Sequence, residues 1–208
     1  MQDLIHKIQS GLQHPLPGVT AHNKMAHAAR RAKFDVPDNA RQASVLALLY
    51  PKLEEWHIVF IERTSRNPND QHKGQISFPG GSYDVSDPDF KFTALREANE
   101  EIGVDPNDIQ ILGELTDLYI PVSNFNVNPF VGLMNYRPSF IPQESEVASI
   151  LEIPFQTFLN PNIRQKTNIK ITPQITMKDV PYFNIDNKIL WGATAMMMSE
   201  LIEVIQLV

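Results

Sequence analysis

The pattern of apolar and polar positions predicts a chain of strands interrupted by a few helices. Leucine and isoleucine recur at helical spacing in residues 2–12, which predicts an amphipathic helix. A second helix is predicted at residues 88–102, with Asp87 as its N-cap, Pro88 at its first position and Gly103 just beyond its end. The apolar runs that predict buried strands lie at residues 44–50, 56–62, 75–78, 109–118, 125–134 and 146–153.

The later part of the chain predicts more exposed strands and a final helix. Residues 164–177 alternate between apolar and polar positions, which predicts a hairpin, and residues 191–208 predict a C-terminal helix. Residues 13–42 show no clear pattern beyond one or two helical turns near residues 24–31. We therefore expect an α/β fold in which residues 43–208 form a domain with a mixed sheet and helices on its faces. Residues 1–42 would form an N-terminal arm packed on that domain.

Composition excludes several classes of protein. The 208 residues, 42% of them hydrophobic, are enough for one sizeable core, and the absence of cysteine excludes disulfides, thiolate zinc sites and cysteine nucleophiles. Nucleic-acid-binding proteins normally carry a basic face, and the sequence of this chain, with a net charge of −6, shows none. No apolar run approaches the length of a membrane span. We expect a cytoplasmic protein whose partners include neither nucleic acid nor a membrane.

Three glutamates form the candidate chemical site. Glu97, Glu100 and Glu101 are spaced i, i+3 and i+4, so their carboxylates converge on one side of the predicted helix. Such carboxylates repel one another unless a cation lies between them, and oxygen ligands favour Mg²⁺ or Mn²⁺. The alternative is an ordinary solvated helix face. The preceding pair, Gly80 and Gly81, favours the metal site because glycines let the backbone approach a ligand closely.

Residues 81–104 resemble the Nudix box, G-x5-E-x7-R-E-U-x-E-E-x-G-U, in which U is aliphatic. Residues 96–104, with the sequence REANEEIGV, match every fixed position of its second half. In the first half Asp87 stands in place of the first glutamate, and eight residues rather than seven separate it from Arg96. Asp87 is therefore either a catalytic carboxylate or only the N-cap of the helix.

Other segments resemble the coenzyme A pyrophosphatase branch of the Nudix hydrolases, and they lie at residues 63–65, 72–81, 144–147 and 191–196. The resemblance implies an α/β/α sandwich around a mixed sheet. It also implies metal-dependent hydrolysis of the pyrophosphate of coenzyme A or its derivatives to 4′-phosphopantetheine and 3′,5′-ADP. The alternatives are a Nudix hydrolase of another nucleoside diphosphate derivative such as ADP-ribose, a non-catalytic nucleotide-binding sensor, and a purely structural acidic domain.

The resemblance also assigns roles to individual residues. The expected ligands of Mg²⁺ or Mn²⁺ are Gly81, through its carbonyl, Glu97, Glu100 and Glu101. The water that attacks the pyrophosphate would be oriented or deprotonated by Glu100, Glu101 or Glu146, the last of which lies in a loop beyond the box. The residues expected to bind the small-molecule nucleotide substrate are Arg63, Arg66, His72, Lys73 and Gly80. A homodimer is a possible assembly.

Overall fold

The structure, a computed structural model, describes residues 2–30, 35–64, 74–172 and 174–208. The α-helices in this part of the chain are α1 (Gln2–Gly11), α2 (Gly18–Met25), α3 (Phe90–Ile102) and α4 (Gly192–Val204). The strands are β1 (Arg41–Lys52), β2 (Glu55–Arg63), β3 (Ile76–Ser77), β4 (Gly80–Ser82), β5 (Gln110–Glu114), β6 (Leu118–Ile120), β7 (Phe125–Leu133), β8 (Val147–Pro154), β9 (Arg164–Lys170), β10 (Thr176–Ile185) and β11 (Lys188–Trp191). Short 3-10 helices lie at Ala28–Arg30, Pro106–Asp108, Phe155–Leu159 and Pro161–Ile163.

The described strands form two sheets. The larger one has the order β3–β2–β1–β7–β5, with β4 also paired to β1, β6 to β7 and β8 to β2. Because β1 and β7 run parallel while the other pairs are antiparallel, this sheet is mixed, as predicted. The smaller sheet, β11–β10–β9, is antiparallel.

Hydrophobic cores lie on both faces of the large sheet because apolar side chains of β1 alternate in direction. Leu46 and Leu48 belong to the core shared with α3, whereas Ala47 and Leu49 belong to the core shared with α4. Met196–Met198, three methionines at the centre of α4, are buried in this second core. The predicted α/β/α sandwich is therefore confirmed. In the described part of the chain, no helix is long and apolar enough to cross a membrane.

The start of α3 differs from the prediction. The helix begins at Phe90, and its N-cap is Asp89, whose side chain accepts a hydrogen bond from the Phe92 amide at 2.7 Å. The prediction of Asp87 as the cap and Pro88 as the first helical residue was wrong, because the helix begins two residues after Pro88 and the Asp87 carboxylate binds Arg96. At the other end Gly103 adopts φ +73°, which confirms it as the residue that ends the helix.

Three further predictions needed correction. The predicted strand at residues 109–118 is two strands, because β5 ends at Glu114 and β6 begins at Leu118. The exposed hairpin at residues 164–177 is the first part of a three-stranded sheet, since β10 extends to Ile185 and a tight turn leads into β11. The helical turns expected near residues 24–31 correspond to the end of α2 and the 3-10 helix Ala28–Arg30, but α2 begins well before them, at Gly18.

Candidate active site

The glycine pair brings β4 against both β1 and α3. Gly80 has φ +152°, and a Cβ at this position would clash with the carbonyl oxygen of Ser44 on β1. A Cβ at Gly81 would clash with the carboxylate of Glu97. Gly80 therefore requires glycine, whereas a side chain at Gly81 would displace the Glu97 carboxylate, which lies directly against the backbone there.

Glu101 is buried and is held through both of its carboxylate oxygens. The Gly80 amide donates to Oε2 at 2.8 Å, and a guanidinium nitrogen of Arg63 lies 3.7 Å from Oε1. Burial raises the pKa of Glu101 to about 7, and the negative charges of Glu97 and Glu146 act in the same direction. The hydrogen bond from Gly80 and the charge of Arg63 oppose this rise.

Arg96 connects the carboxylates of α3 to the preceding loop. Its guanidinium donates to both oxygens of Asp87, at 3.0 and 2.9 Å. It also donates to Glu97 at 2.9 Å and to Glu100 at 3.1 Å. Asp87 is buried, accepts a further hydrogen bond from the Thr93 hydroxyl at 2.8 Å, and has its pKa lowered to about 2, chiefly by Arg96. Asp87 therefore binds Arg96, and Arg96 in turn binds the carboxylates of α3.

Glu146 is brought to the same site by a loop that docks on the end of α3. The amides of Ile141 and Gln143 donate to the carbonyls of Ile102 and Glu101, each at 2.9 Å. Glu146 follows in an exposed turn directly before β8. Its negative charge contributes to the raised pKa of both Glu97 and Glu101. The loop glutamate that the sequence singled out therefore lies beside the carboxylates of the helix.

The predicted substrate-binding residues are only partly within the described chain. Arg63 lies at the site, in contact with Glu101. The Gly80 amide is engaged by the Glu101 carboxylate. Arg66, His72 and Lys73 lie outside the described residues, so their assignment stays a prediction.

The expected ligands fit a divalent cation in part. Glu97 and Glu101 are hard oxygen donors, and burial raises the pKa of each, so a bound cation would compensate two desolvated charges. Glu100, with a side chain 55% exposed, is paired with Arg96 instead. Among residues 2–30, 35–64, 74–172 and 174–208, no three acidic or histidine side chains already form a ligand cluster. Arg96 donates to Oε1 of Glu97, so a cation at this carboxylate would bind beside Arg96.

A buried hydroxyl that the sequence analysis did not single out lies on the same side of the sheet. Ser77 pairs with Ile61, so its side chain points to the face that carries α3 and Arg63. Its hydroxyl oxygen is buried and has no hydrogen-bond partner within the described chain. Buried polar groups normally have a partner, so Ser77 has a bonding capacity that a ligand can use. The only sequence signal for Ser77 is its position within residues 72–81, the segment that resembles the coenzyme A pyrophosphatase branch.

Comparisons with known proteins identify the family. The NUDIX domain family matches residues 40–156. A Pectobacterium atrosepticum protein named "Uncharacterized Nudix hydrolase NudL" is 46% identical over 84 residues, which are 40% of this chain and 43% of that protein. A protein of the same name from Photorhabdus laumondii is 31% identical over 169 residues, which are 81% of this chain and 87% of that protein.

Coverage differs among these relatives. The match spans less than half of the Pectobacterium protein, and 61% of a relative from Citrobacter koseri that bears the same name. Among solved structures, the chain resembles a C. elegans Ap4A hydrolase in a binary complex, with a TM-score of 0.48 and 14% identity over 57% of this chain and 83% of that one.

Two of these findings decide the assignment. The NUDIX match covers more than half of the chain, and the Photorhabdus protein is more than 30% identical along most of both chains. Both agree with the prediction of a Nudix hydrolase that the box in residues 96–104 supports. The chain belongs to the Nudix family.

Proposed function

We propose that the protein is a metal-dependent Nudix pyrophosphohydrolase that hydrolyses the pyrophosphate of coenzyme A or its derivatives to 4′-phosphopantetheine and 3′,5′-ADP. The observation that carries the proposal is the position of Glu97 and Glu101 at the glycine pair, with Arg63 beside Glu101 and the charge of Glu146 near enough to raise the pKa of both. Buried carboxylates next to an arginine can hold a divalent cation and an anionic substrate together.

The choice of coenzyme A rests on the segment before the helix. Residues 74–81 belong to the stretch that resembles the coenzyme A pyrophosphatase branch, and its last two residues lie against Glu101 and Glu97. The Gly74 amide donates to the Arg63 carbonyl at 2.7 Å, and Gly80 contacts Glu101. The segment that resembles the branch therefore ends at the carboxylates, and this resemblance supports coenzyme A over the other nucleotides considered.

In the proposed reaction the chain positions the substrate and accepts a proton. A Mg²⁺ or Mn²⁺ ion bound at Glu97 and Glu101 would neutralise phosphate charge and lower the pKa of a bound water. Arg63 contacts the pyrophosphate oxygens, and Arg96 fixes the Glu97 carboxylate. Glu146 accepts the proton of the attacking water. The water oxygen bonds to one phosphorus as the bridging P–O bond breaks, so no covalent enzyme intermediate forms.

The first test offers coenzyme A and ADP-ribose separately, each with Mg²⁺ or Mn²⁺ in ¹⁸O-water, and analyses the products by mass spectrometry. We expect 4′-phosphopantetheine and 3′,5′-ADP, with ¹⁸O in one of the two. Cleavage of ADP-ribose alone would retain Nudix chemistry and reject coenzyme A. Binding of both compounds without cleavage would favour a sensor.

Substitutions of Glu101 and Glu146 test whether these carboxylates take part in the reaction. Glu101→Gln and Glu146→Gln should each lower kcat by about 100-fold or more, because each removes a charge that the reaction needs. Glu144→Gln is the control, since Glu144 is exposed in the same turn and, unlike Glu146, is not among the main causes of the raised pKa of Glu97 and Glu101. A Glu146→Gln enzyme as active as the Glu144→Gln enzyme would remove Glu146 from the mechanism.

A further inference from the structure

Three side-chain atoms are buried without a hydrogen-bond partner in the described part of the chain, and they are the hydroxyl oxygens of Ser44 and Ser77 and Oδ1 of Asn126. All three lie on the face of the large sheet that carries α3, because side chains alternate along β1 and β7 and because Ser77 pairs with Ile61. Native proteins leave few buried polar atoms unpaired, so each of the three calls for an explanation.

Ser77 differs from the other two residues because it remains accessible. Ser44 is completely buried, so a ligand does not reach its hydroxyl. Asn126 is also buried, and its amide nitrogen already donates to the side chain of Gln42 at 3.4 Å. Ser77 is only partly buried as a residue, although its hydroxyl oxygen is covered. Rotation about its Cα–Cβ bond can therefore bring the hydroxyl to a ligand.

Arg63 is the neighbour of Ser77 that points to the candidate active site. Because Ile61 lies opposite Ser77 on β3, Arg63 is the diagonal neighbour of Ser77, about 7–8 Å away and within reach of a long side chain. The Arg63 side chain is 30% exposed, and its guanidinium lies 3.7 Å from Glu101, which is longer than a hydrogen bond. A hydroxyl and a guanidinium with unused donors therefore lie next to each other.

These two donors are suited to an anion at the edge of the carboxylate site. Glu101 does not serve as the acceptor for Ser77, since its carboxylate binds the Gly80 amide and lies near Arg63. Phosphate oxygens accept charge-assisted hydrogen bonds from hydroxyl and guanidinium groups. The covered hydroxyl of Ser77 has lost its water without gaining a partner, which lowers the stability of the free protein. A bound phosphate oxygen would supply the missing acceptor.

We propose that the Ser77 hydroxyl donates a hydrogen bond to a non-bridging oxygen of the substrate's pyrophosphate, beside the contact that Arg63 makes. The inference rests on the proposed function, since it adds a substrate-binding residue to the same site. It depends on the pyrophosphate alone and therefore holds for coenzyme A and for ADP-ribose alike. It also has a consequence for stability, because alanine at position 77 would remove the unpaired hydroxyl from the free protein.

The experiment compares Ser77→Ala with Ser44→Ala, which removes the completely buried hydroxyl on the same face. Ser77→Ala should lower kcat/KM by about tenfold or more, because it removes a hydrogen bond to a charged group. It should also raise the melting temperature without ligand by about 2 °C, because an unpaired buried hydroxyl is lost. Ser44→Ala should raise the melting temperature similarly and leave kcat/KM unchanged. Steady-state kinetics and differential scanning fluorimetry measure both quantities.

The outcomes separate this inference from the proposed function. A Ser77→Ala enzyme as active as Ser44→Ala overturns the contact and leaves hydrolysis intact. A loss of activity together with a lower melting temperature also overturns it, because that result assigns Ser77 a structural role. If the wild type cleaves neither coenzyme A nor ADP-ribose, the proposed function is rejected. Equilibrium dialysis with imidodiphosphate and Mg²⁺ then tests Ser77 by itself: weaker binding in Ser77→Ala than in Ser44→Ala supports the contact, and equal binding overturns it.

Discussion

Two aspartates near the start of α3, Asp87 and Asp89, bind different partners. Asp89 is exposed and caps the helix through the Phe92 amide. Asp87 is buried and holds Arg96 through two hydrogen bonds. Because Arg96 in turn holds Glu97, a change at Asp87 reaches the candidate active site and a change at Asp89 does not.

This difference predicts that substitutions at both aspartates lower stability but only the one at Asp87 lowers kcat. Asp87→Asn should lower kcat by about tenfold and the free energy of unfolding by about 2 kcal/mol, because it removes the charge that orients Arg96. Asp89→Ala should cost about 1 kcal/mol of stability with kcat unchanged, since it removes only a cap. Steady-state kinetics and urea unfolding measure both effects. An equal loss of kcat in the two variants would show that Asp87 acts only by stabilising the helix.

The ion pair between Asp87 and Arg96 also makes the free energy of unfolding depend on pH. The pKa of Asp87 falls from 3.8 to about 2 in the folded protein, so its contribution to stability is fully present above pH 4. That contribution is lost as the pH falls through 2. The difference in unfolding free energy between wild type and Asp87→Asn should therefore shrink between pH 5 and pH 2. A constant difference over this range would contradict the ion pair.

Residues of the helix were easier to predict than those of the loop. Spacing on one helix fixes which side chains converge, so Glu97, Glu101 and their link to Arg96 could be predicted from the sequence. Glu100 shares that spacing, but the structure turns its carboxylate toward Arg96 and solvent. The position of Asp87 depends on a loop conformation that no periodic pattern encodes.

At the scale of elements, helix α2 is joined to α4 by a buried carboxylate. Glu200 of α4 is fully buried and accepts hydrogen bonds from the Gly18 amide at 2.9 Å and from the hydroxyl of Thr116 at 2.6 Å. A ring nitrogen of His22 lies 3.0 Å from its other oxygen. One turn later Glu203 pairs with Lys24 at 2.7 Å near the surface. Both glutamates connect α2 to α4, one in the core and one in solvent.

Because Glu200 is buried and Glu203 is not, substituting them should lower the free energy of unfolding by very different amounts. Glu200→Gln should lower the free energy of unfolding by about 3 kcal/mol, because the new amide faces donors that lose their acceptor. Glu203→Gln should cost about 1 kcal/mol or less, as is typical of exposed ion pairs. Urea unfolding of both variants measures the difference. Similar small costs would mean that the buried bonds do not hold α2 in place.

Elements were predictable where the apolar period was long and uninterrupted. Strands β1, β2, β7 and β8 lie within or near the apolar runs that predicted them. The third strand of the small sheet was missed because β11 has four residues and one buried apolar side chain, Leu190. Most of helix α2 shows no helical pattern in the sequence, because it begins at Pro17 and Gly18, residue types that usually interrupt helices. The sequence does not indicate that Glu200 binds this helix, because its partners Gly18 and His22 are distant along the chain.

At the scale of the whole molecule, the candidate active site is a source of instability when no cation is bound. The protein carries a net charge of −6, and Glu97 and Glu101 are desolvated close to Glu146. Only Arg63 and Arg96 pair with these helix carboxylates within the described chain. Such a site gains stability from any ligand that adds positive charge between the carboxylates, and it gains none from ions that merely screen the surface.

Metal binding should therefore raise the melting temperature of the whole protein. At about 100 times its dissociation constant, Mg²⁺ or Mn²⁺ should add about 2.7 kcal/mol, which is a rise of several degrees for a chain of this size. Glu101→Gln should abolish most of the rise, whereas Glu144→Gln should retain it. Differential scanning fluorimetry across a metal titration measures this, with NaCl of equal ionic strength as the control. The same rise in NaCl, or in Glu101→Gln, would assign the effect to screening of the net charge and remove the metal from this site.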